Sequence, residues 1–558
     1  MKAWVTCAGL GAWGLGAWGL GLGAWDKVWD MSARFRWSLA VFALVLFAAQ
    51  GATRTSAQVA AANPPAAFAD ANRRAKLATA FPEIDKVVAE FMTRAHVPGA
   101  AWGIVIDGEL AHIGVAGYRD LVTKSPVTRD SVFRIASMSK SFAAMSILAL
   151  RDQGQLSLDD LVEKHVPELK NLRYPTTDSP RLRVREVLSH AAGFPEDNPW
   201  GDQQLSATED AFSRLMAQGI PFSNPPGMAY EYSNYAFAIV GRIVTNVSGK
   251  PYRQFLSETI LKPLGMTSTT LEPKEVAADR MALGYRWEDE QWKLEPALAD
   301  GAFGVMGGML TSVSDLTKYV GALLAAFPPR DGAEAGPIRR SSLREMQQLW
   351  RSRPSTVTRT AAGAPNLSSG GYGFGLGITQ SCEFDHIVAH SGGLPGYGSM
   401  MRWLPSYGVG VIAFGNVTYT GWGGVVTQAF DLMAKTGGLQ PRMPQPSPML
   451  VSSRDAVSRL IMNWDDKQAD DMAAMNLFLD TSKDRRQKQI AELRAKVGTC
   501  TAQTKFDTVE NWLRGQWTMK CERGDLNVSI TLAPTMPPKV QFLDVRMAEP
   551  RPAPSTCR

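Results

Sequence analysis

The chain has 558 residues, 59 Lys plus Arg against 53 Asp plus Glu, a formal net charge of +6, 45% hydrophobic and 20% charged residues, and five cysteines. Those values exclude a disordered chain, a coiled coil and a disulfide scaffold, and the length implies two or three domains. No Lys/Arg run interleaved with aromatics accompanies the small positive excess, so no nucleic-acid partner is expected.

Residues 1–30 form a near-repeat holding seven glycines and five tryptophans, with neither a helical nor a strand period. From Met31 the pattern changes. Arg34 and Arg36 precede a 13-residue stretch, 37–49, whose only polar residue is Ser38, and Thr55-Ser56-Ala57 offers a small-residue cleavage site. At about 1.5 Å per residue this stretch is too short for a hydrocarbon core of about 30 Å. Residues 1–57 therefore read as a leader and signal peptide, with Met31 the true start. The mature chain is expected to be exported, periplasmic or secreted, with no membrane span. The leader carries five basic and two acidic side chains, so half of the +6 excess leaves with it.

The mature chain opens with an amphipathic helical pattern over 82–95. Apolar runs at 100–106 and 110–116 follow, turned by Asp107-Gly108, a strong hairpin signal. A long helix is predicted over 137–153, ended by Gly154. Strand-like runs come later at 386–390, 399–404 and 409–414, and a helix at 425–435 closes this part. Helices at both ends enclosing one antiparallel sheet imply an α+β layered fold with a helical insertion, covering about 75–435. Residues 436–449, with Gly437-Gly438 and four prolines (441, 444, 446, 448), read as an extended linker. A small α+β domain of about 450–550 is expected beyond it: helices near 454–478 and 484–497, then strands near 506–513, 516–521, 526–532 and 540–545. Cys500 and Cys521 could bridge its helix end to its sheet, as an exported chain permits. Cys382 and Cys557 are left unassigned, a buried thiol being the commoner fate of a single Cys.

Three short elements carry chemistry. Ser137-Met138-Ser139-Lys140 is the only Ser-x-x-Lys in the chain. Its spacing puts both functional side chains on one face of a helix N-terminus. A partly desolvated lysine there can take the proton that keeps a serine hydroxyl from attacking. Tyr232-Ser233-Asn234 precedes an apolar helix, and a tyrosine near two cations can lose its proton more easily. His390-Ser391-Gly392-Gly393 closes a strand, where glycines would let a substrate backbone approach. The backbone N–H groups of Ser137 and Gly393 could form an oxyanion hole. Lys435-Thr436-Gly437 reads instead as helix C-cap chemistry. The six histidines show no metal-ligand spacing, and no phosphate- or dinucleotide-binding glycine pattern is present, so neither metal nor cofactor is expected.

In this order the elements resemble the penicillin-recognising serine hydrolases, nearest the class C β-lactamase and D-alanyl-D-alanine carboxypeptidase branch. The likeness covers about 80–435. It extends to His96-Val97-Pro98-Gly99, Leu188-Ser189-His190, Pro226-Gly227, Leu264-Gly265-Met266 and Gly307-Gly308-Met309. The resemblance implies a β-lactamase/transpeptidase-like fold, Ser137 as the acylated nucleophile, Lys140 as its proton partner and Tyr232 as general base. It implies Asn234 as a substrate-amide contact, with His390, Ser391 and Gly392 on the substrate-binding strand. His390 stands where many relatives have lysine. A histidine is mostly neutral at pH 7, which widens the expected small-molecule or peptide substrates from β-lactams to D-residue peptides, amides and esters. His190 is read as structural. The alternative reading is a penicillin-binding or ligand-sensing module that acylates without turnover. Oligomeric state is open.

Overall fold

The computed structural model describes residues 63–549 apart from 335, 360–362, 364, 502 and 503. The expected leader and Cys557 lie outside those residues.

Strand β1 (Gly99–Ile106) is buried along its whole length. Its unbroken apolar run is what a strand covered on both faces requires. The period of two divides that run between two cores. Ala101 and Val105 join the larger core, while Ala100, Trp102, Ile104 and Ile106 join the smaller. The smaller core is roofed by helix α1 (Phe81–Arg94) through Ile84, Val88 and Met92, and by the C-terminal helix Gly423–Lys435 through Val426 and Phe430. Strand β2 (Glu109–Asp120) returns from β1 through Asp107 and Gly108, both with positive φ (54° and 86°). That is the two-residue hairpin geometry the pair signals.

The remaining strands are β3 (Ser125–Pro126), β4 (Phe133–Arg134), β5 (Tyr285–Glu288), β6 (Gln291–Leu294), β7 (Leu310–Thr311), β8 (Arg351–Arg359), β9 (Pro365–Tyr372), β10 (Gly377–Ser381), β11 (Ile387–Leu394), β12 (Tyr397–Leu404) and β13 (Val409–Gly415). Seven of them join β1 and β2 in one nine-stranded antiparallel sheet in the order β3-β2-β1-β13-β12-β11-β10-β9-β8. The layered α+β expectation is met. The hairpin β8–β9 is an addition that no strand pattern in the sequence predicts.

On the larger core's side lies α2 (Ser139–Asp152), buried continuously from Ser139 to Leu150. A helix this enclosed needs no single apolar stripe, and each large side chain it buries contributes roughly 1.5–3 kcal/mol. Helix α3 (Asn234–Ser248) packs beside it. The predicted helix over 137–153 starts later than expected: Ala136–Met138 is a 3₁₀ turn with Ala136 at φ 48°. The Lys435-Thr436-Gly437 segment does end a helix, with Gly437 at φ 71°.

Beyond the prolines a second antiparallel sheet forms from β14 (Cys500–Thr501), β15 (Thr508–Asn511), β16 (Arg514–Cys521), β17 (Leu526–Leu532) and β18 (Val540–Met547). Its core of Trp517, Val528, Ile530 and Leu543 is closed by Val457 and Ile461 from the helix Pro448–Met462 and Ile490 from Lys483–Val497. The single helix predicted near 454–478 is broken. Asn463 leaves helical geometry, and the Asp465 carboxylate caps a new helix by accepting from the Gln468 N–H. Cys500 and Cys521 are joined by a disulfide, and Cys382, unassigned from the sequence, is also disulfide-bonded. The Cys500–Cys521 bridge closes a loop of sequence separation 21. Its removal by Cys500→Ser is expected to cost this module about 3 kcal/mol. Hydrogen exchange of β16 and β17 with and without the bridge measures that loss; unchanged protection would contradict it. Among the described residues no helix is long and apolar enough to cross a membrane.

Candidate active site

The turn Ala136–Met138 lies between β4 and the start of α2 and places Ser137 against the floor of a cleft of about 690 Å³. The cleft is bounded by Tyr230, Tyr232, Tyr372, His390, Ser391, Gly393 and Tyr419, among others. Ser137 retains 8% exposure, enough for an incoming atom to reach its hydroxyl.

One helical turn on, Lys140 is fully buried, with Nζ 3.0 Å from Ser137 Oγ, 2.7 Å from Asn234 Oδ1 and 2.8 Å from the Met306 carbonyl. Burial pulls the amine down to about 7, opposed by the nearby carboxylates of Asp202 and Asp197. A carboxamide oxygen and a backbone carbonyl can only accept. In the neutral amine they take its two hydrogens, which leaves the lone pair aimed at the Ser137 hydroxyl.

Asn234 is completely buried. Besides accepting from Lys140, its amide donates to Asn198 Oδ1 (3.2 Å). It does not line the cleft, and its side chain holds the lysine rather than a substrate amide. Asp197 fixes the start of α3, accepting from the N–H groups of Asn234 (2.6 Å) and Tyr235 (2.8 Å).

Tyr232 does line the cleft, its ring 4.9 Å from Lys140 Nζ. Its phenol is pushed well above its ordinary value, chiefly by desolvation, with the Ser137 hydroxyl opposing. The expectation of an easily lost proton is therefore corrected. Burial outweighs the Ser137 hydroxyl, and the nearby Asp202 and Asp197 carboxylates push the phenol the same way as burial. Tyr232 rests as a protonated phenol.

His390 is the group that carries no charge. Its Nδ1 lies 2.6 Å from the Ser391 carbonyl, which can only accept, so Nδ1 bears the hydrogen and Nε2 accepts from the Tyr372 hydroxyl at 2.7 Å. Burial, then the charge of Lys140, drives the imidazole down to about 3. Tyr372 lies on β9, outside every motif of the sequence.

The glycine-rich element differs from its reading as a strand exit. His390-Ser391-Gly392-Gly393 lies inside β11, paired along β12. On the other side β10 pairs with β11 only as far as Ala389, so pairing with β10 stops where the cleft begins. Ser391 and Gly393 line the cleft, whereas Gly392 points inward: a Cβ there would stand 2.1 Å from the Ile135 carbonyl oxygen. Gly392 thus admits the Ser137 turn, not a substrate. His190 is fully buried and accepts from the Ser233 N–H at Nδ1 (3.1 Å), its ring centroid 4.2 Å from that of Tyr232. Asp202, raised to about 6 by burial, accepts from the Tyr419 hydroxyl at 3.0 Å across the cleft mouth. Neither Asp202 nor Tyr419 belongs to a motif, and no local sequence signal marks them.

Comparison with known proteins shows the family of the chain. The Beta-lactamase family model matches residues 84–432. Protein flp of Staphylococcus aureus (strain NCTC 8325 / PS 47) is 27% identical over 342 residues, covering 60% of this chain and 63% of that protein. Penicillin-binding protein 4* of Bacillus subtilis (strain 168) is 27% identical over 314 residues, 53% of this chain and 62% of its own length. The chain thus spans less than two thirds of these relatives. Among solved structures, the octameric penicillin-binding protein homologue from Pyrococcus abyssi aligns with a TM-score of 0.55 at 20% identity, over 81% of this chain and 96% of that one. A class C β-lactamase aligns with a TM-score of 0.51 at 20% identity, over 66% of this chain and all of its own. At such identities the structures show the fold alone. The archaeal match is longer than residues 84–432, so part of the chain outside that segment has a counterpart there. The chain belongs to the β-lactamase family of serine β-lactamases, penicillin-binding proteins and their relatives. Membership supports a serine acyl-transfer or hydrolase activity.

Proposed function

We propose that this protein is an exported serine hydrolase that forms an acyl-enzyme on Ser137 and releases it to water, cleaving an amide or ester. The carrying observation is Lys140, held near neutrality by burial, with acceptors for both its hydrogens and its lone pair left for Ser137. In the first half-reaction Lys140 takes the hydroxyl proton as Ser137 Oγ bonds to the acyl carbon. Charge on the carbonyl oxygen is met by the backbone N–H groups of Ser137 and Gly393. The bond to the leaving group then breaks, and the proton passes from Lys140 through the Tyr232 hydroxyl to the departing amine or alcohol. Water completes the second half-reaction by the reverse route. Tyr232 acts as a relay that is protonated at rest, with Lys140 the base. Asn234 positions that lysine.

Export is supported by the leader over 1–57 and by the Cys500–Cys521 bridge, since reducing compartments disfavour structural disulfides. The hydrolase domain is assigned to 75–435 and the second domain to 450–550, joined by the proline-rich 436–449.

Treating the full chain with a fluorophosphonate and mapping the adduct tests this reading. The label is expected on Ser137, in the tryptic peptide spanning 135–140. Steady-state turnover is expected on at least one of nitrocefin, a D-Ala-D-Ala peptide, a D-amino-acid amide or a p-nitrophenyl ester. A label elsewhere overturns the site. A stoichiometric burst without turnover replaces the hydrolase with an acylating sensor.

A further inference from the structure

The cleft needs a cation if it is to hold a carboxylate, and the residue at the expected position cannot supply one. Both ring nitrogens of His390 are engaged, Nδ1 by the Ser391 carbonyl and Nε2 by the Tyr372 hydroxyl. Lys140 is buried beneath Ser137 and does not line the cleft.

Of the described residues that bound the cleft, one alone is a cation: Arg353, from the edge strand β8. Its position is built. The β8–β9 register shifts between Arg353 and Thr356, a bulge that contains Pro354. Bulges re-aim a side chain and tolerate proline's missing donor. Opposite Arg353 stands Gly370, where a Cβ would meet the Ile378 carbonyl oxygen at 2.2 Å, so β9 packs tightly against β10. The guanidinium carbon lies 5.2 Å from the Tyr230 ring centroid. A ring face holds a guanidinium's plane while leaving its hydrogen-bonding edge free. Among the described residues Arg353 makes no side-chain hydrogen bond or ion pair, although Glu196 and Asp202 line the same cleft.

From this arrangement we infer that Arg353 is the anion anchor of the cleft, selecting acyl substrates that carry a free carboxylate. A planar fork with free donors matches a carboxylate's two oxygens. The hairpin β8–β9, which the rest of the sheet does not require, thereby brings across the cleft a charge that β11 lacks. Glu196 and Asp202 stand where they would disfavour a carboxylate placed away from Arg353, which narrows the pose. This inference rests on acylation at Ser137.

The test is a competition. Full-length protein is labelled at Ser137 with a fluorophosphonate while benzylpenicillin or its methyl ester protects the serine, and the ratio of the two protection constants is read. The acid is expected to protect better than the ester. In Arg353→Gln the acid-to-ester ratio should fall about tenfold, with Arg353→Lys recovering part of it and added salt eroding it. A ratio within twofold of wild type in Arg353→Gln, with Ser137 still labelled, overturns the anchor. So does an absence of protection by either compound. Failure of the fluorophosphonate to label Ser137 in the wild type is a separate result and removes the hydrolase reading with it.

Discussion

Lys140→Met is expected to lower kcat/KM by about 10²–10⁴, the range that a positioned general base contributes. Methionine fills the same channel but offers no lone pair to Ser137, so the hydroxyl proton has no acceptor as Oγ attacks. The wild-type pH profile should show the same group. Lys140 titrates at about 7 and acts as the free base, so kcat/KM rises with pH through that value and levels above it. In Lys140→Met that limb disappears. Stability carries a linked signature. The amine's ordinary value is 10.5 and its folded value is about 7, so between those limits the unfolded chain binds more protons. Stability therefore rises with pH across that window and the deficit is complete below it. Asp202 acts with the opposite sign lower down. Raised from 3.8 to about 6, it binds more protons when folded, and its contribution falls as pH rises between those values. The difference in Tm between wild type and Lys140→Met, followed from pH 6 to 10, isolates the lysine. A variant that keeps wild-type turnover, or a Tm difference flat in pH, would remove Lys140 from the mechanism.

Chain pattern and burial both shape this site, and only the first is legible in the sequence. Pattern locates β1, β2 and their Asp107-Gly108 turn, because a fully apolar run and a positive-φ pair have few other uses. It locates Ser137 and Lys140 because their spacing is itself the geometry. It does not reveal β8 and β9. Arg351–Arg359 is almost wholly exposed and Pro365–Tyr372 is rich in Ser and Gly, so neither alternates. With that hairpin go Tyr372, whose hydroxyl donates to His390, and Arg353, a cation that lines the cleft. Pattern also misjudges directions that burial decides. Tyr232 reads as a group that ionises readily and is instead held protonated, and Asn234 faces the lysine rather than the cleft. A residue's neighbours at separations such as 94, between Lys140 and Asn234, leave no local signature.

Gly392→Ala should damage the site without touching any reacting atom. Strand β11 crosses the turn that carries Ser137 so closely that an added Cβ would stand 2.1 Å from the Ile135 carbonyl oxygen, 2.4 Å from Ser399 Oγ and 3.0 Å from the Ala136 Cβ. None of these can yield easily. The Ile135 oxygen already accepts from Ser399 Oγ at 2.8 Å on the neighbouring β12, and Ala136 already holds a left-handed φ of 48°. The methyl must therefore displace the turn or pry β11 from β12. Overpacking of this kind costs about 1–3 kcal/mol. A nucleophile shifted by about 1 Å loses roughly 10²-fold in kcat. Gly424→Ala supplies the contrast. That glycine lies in the helix Gly423–Lys435, and a Cβ there meets nothing. The same substitution should stabilise it by about 0.5–1 kcal/mol. Tm and kcat for the two variants make the comparison. If Gly392→Ala kept wild-type values of both, β11 would not be the element that clamps the Ser137 turn.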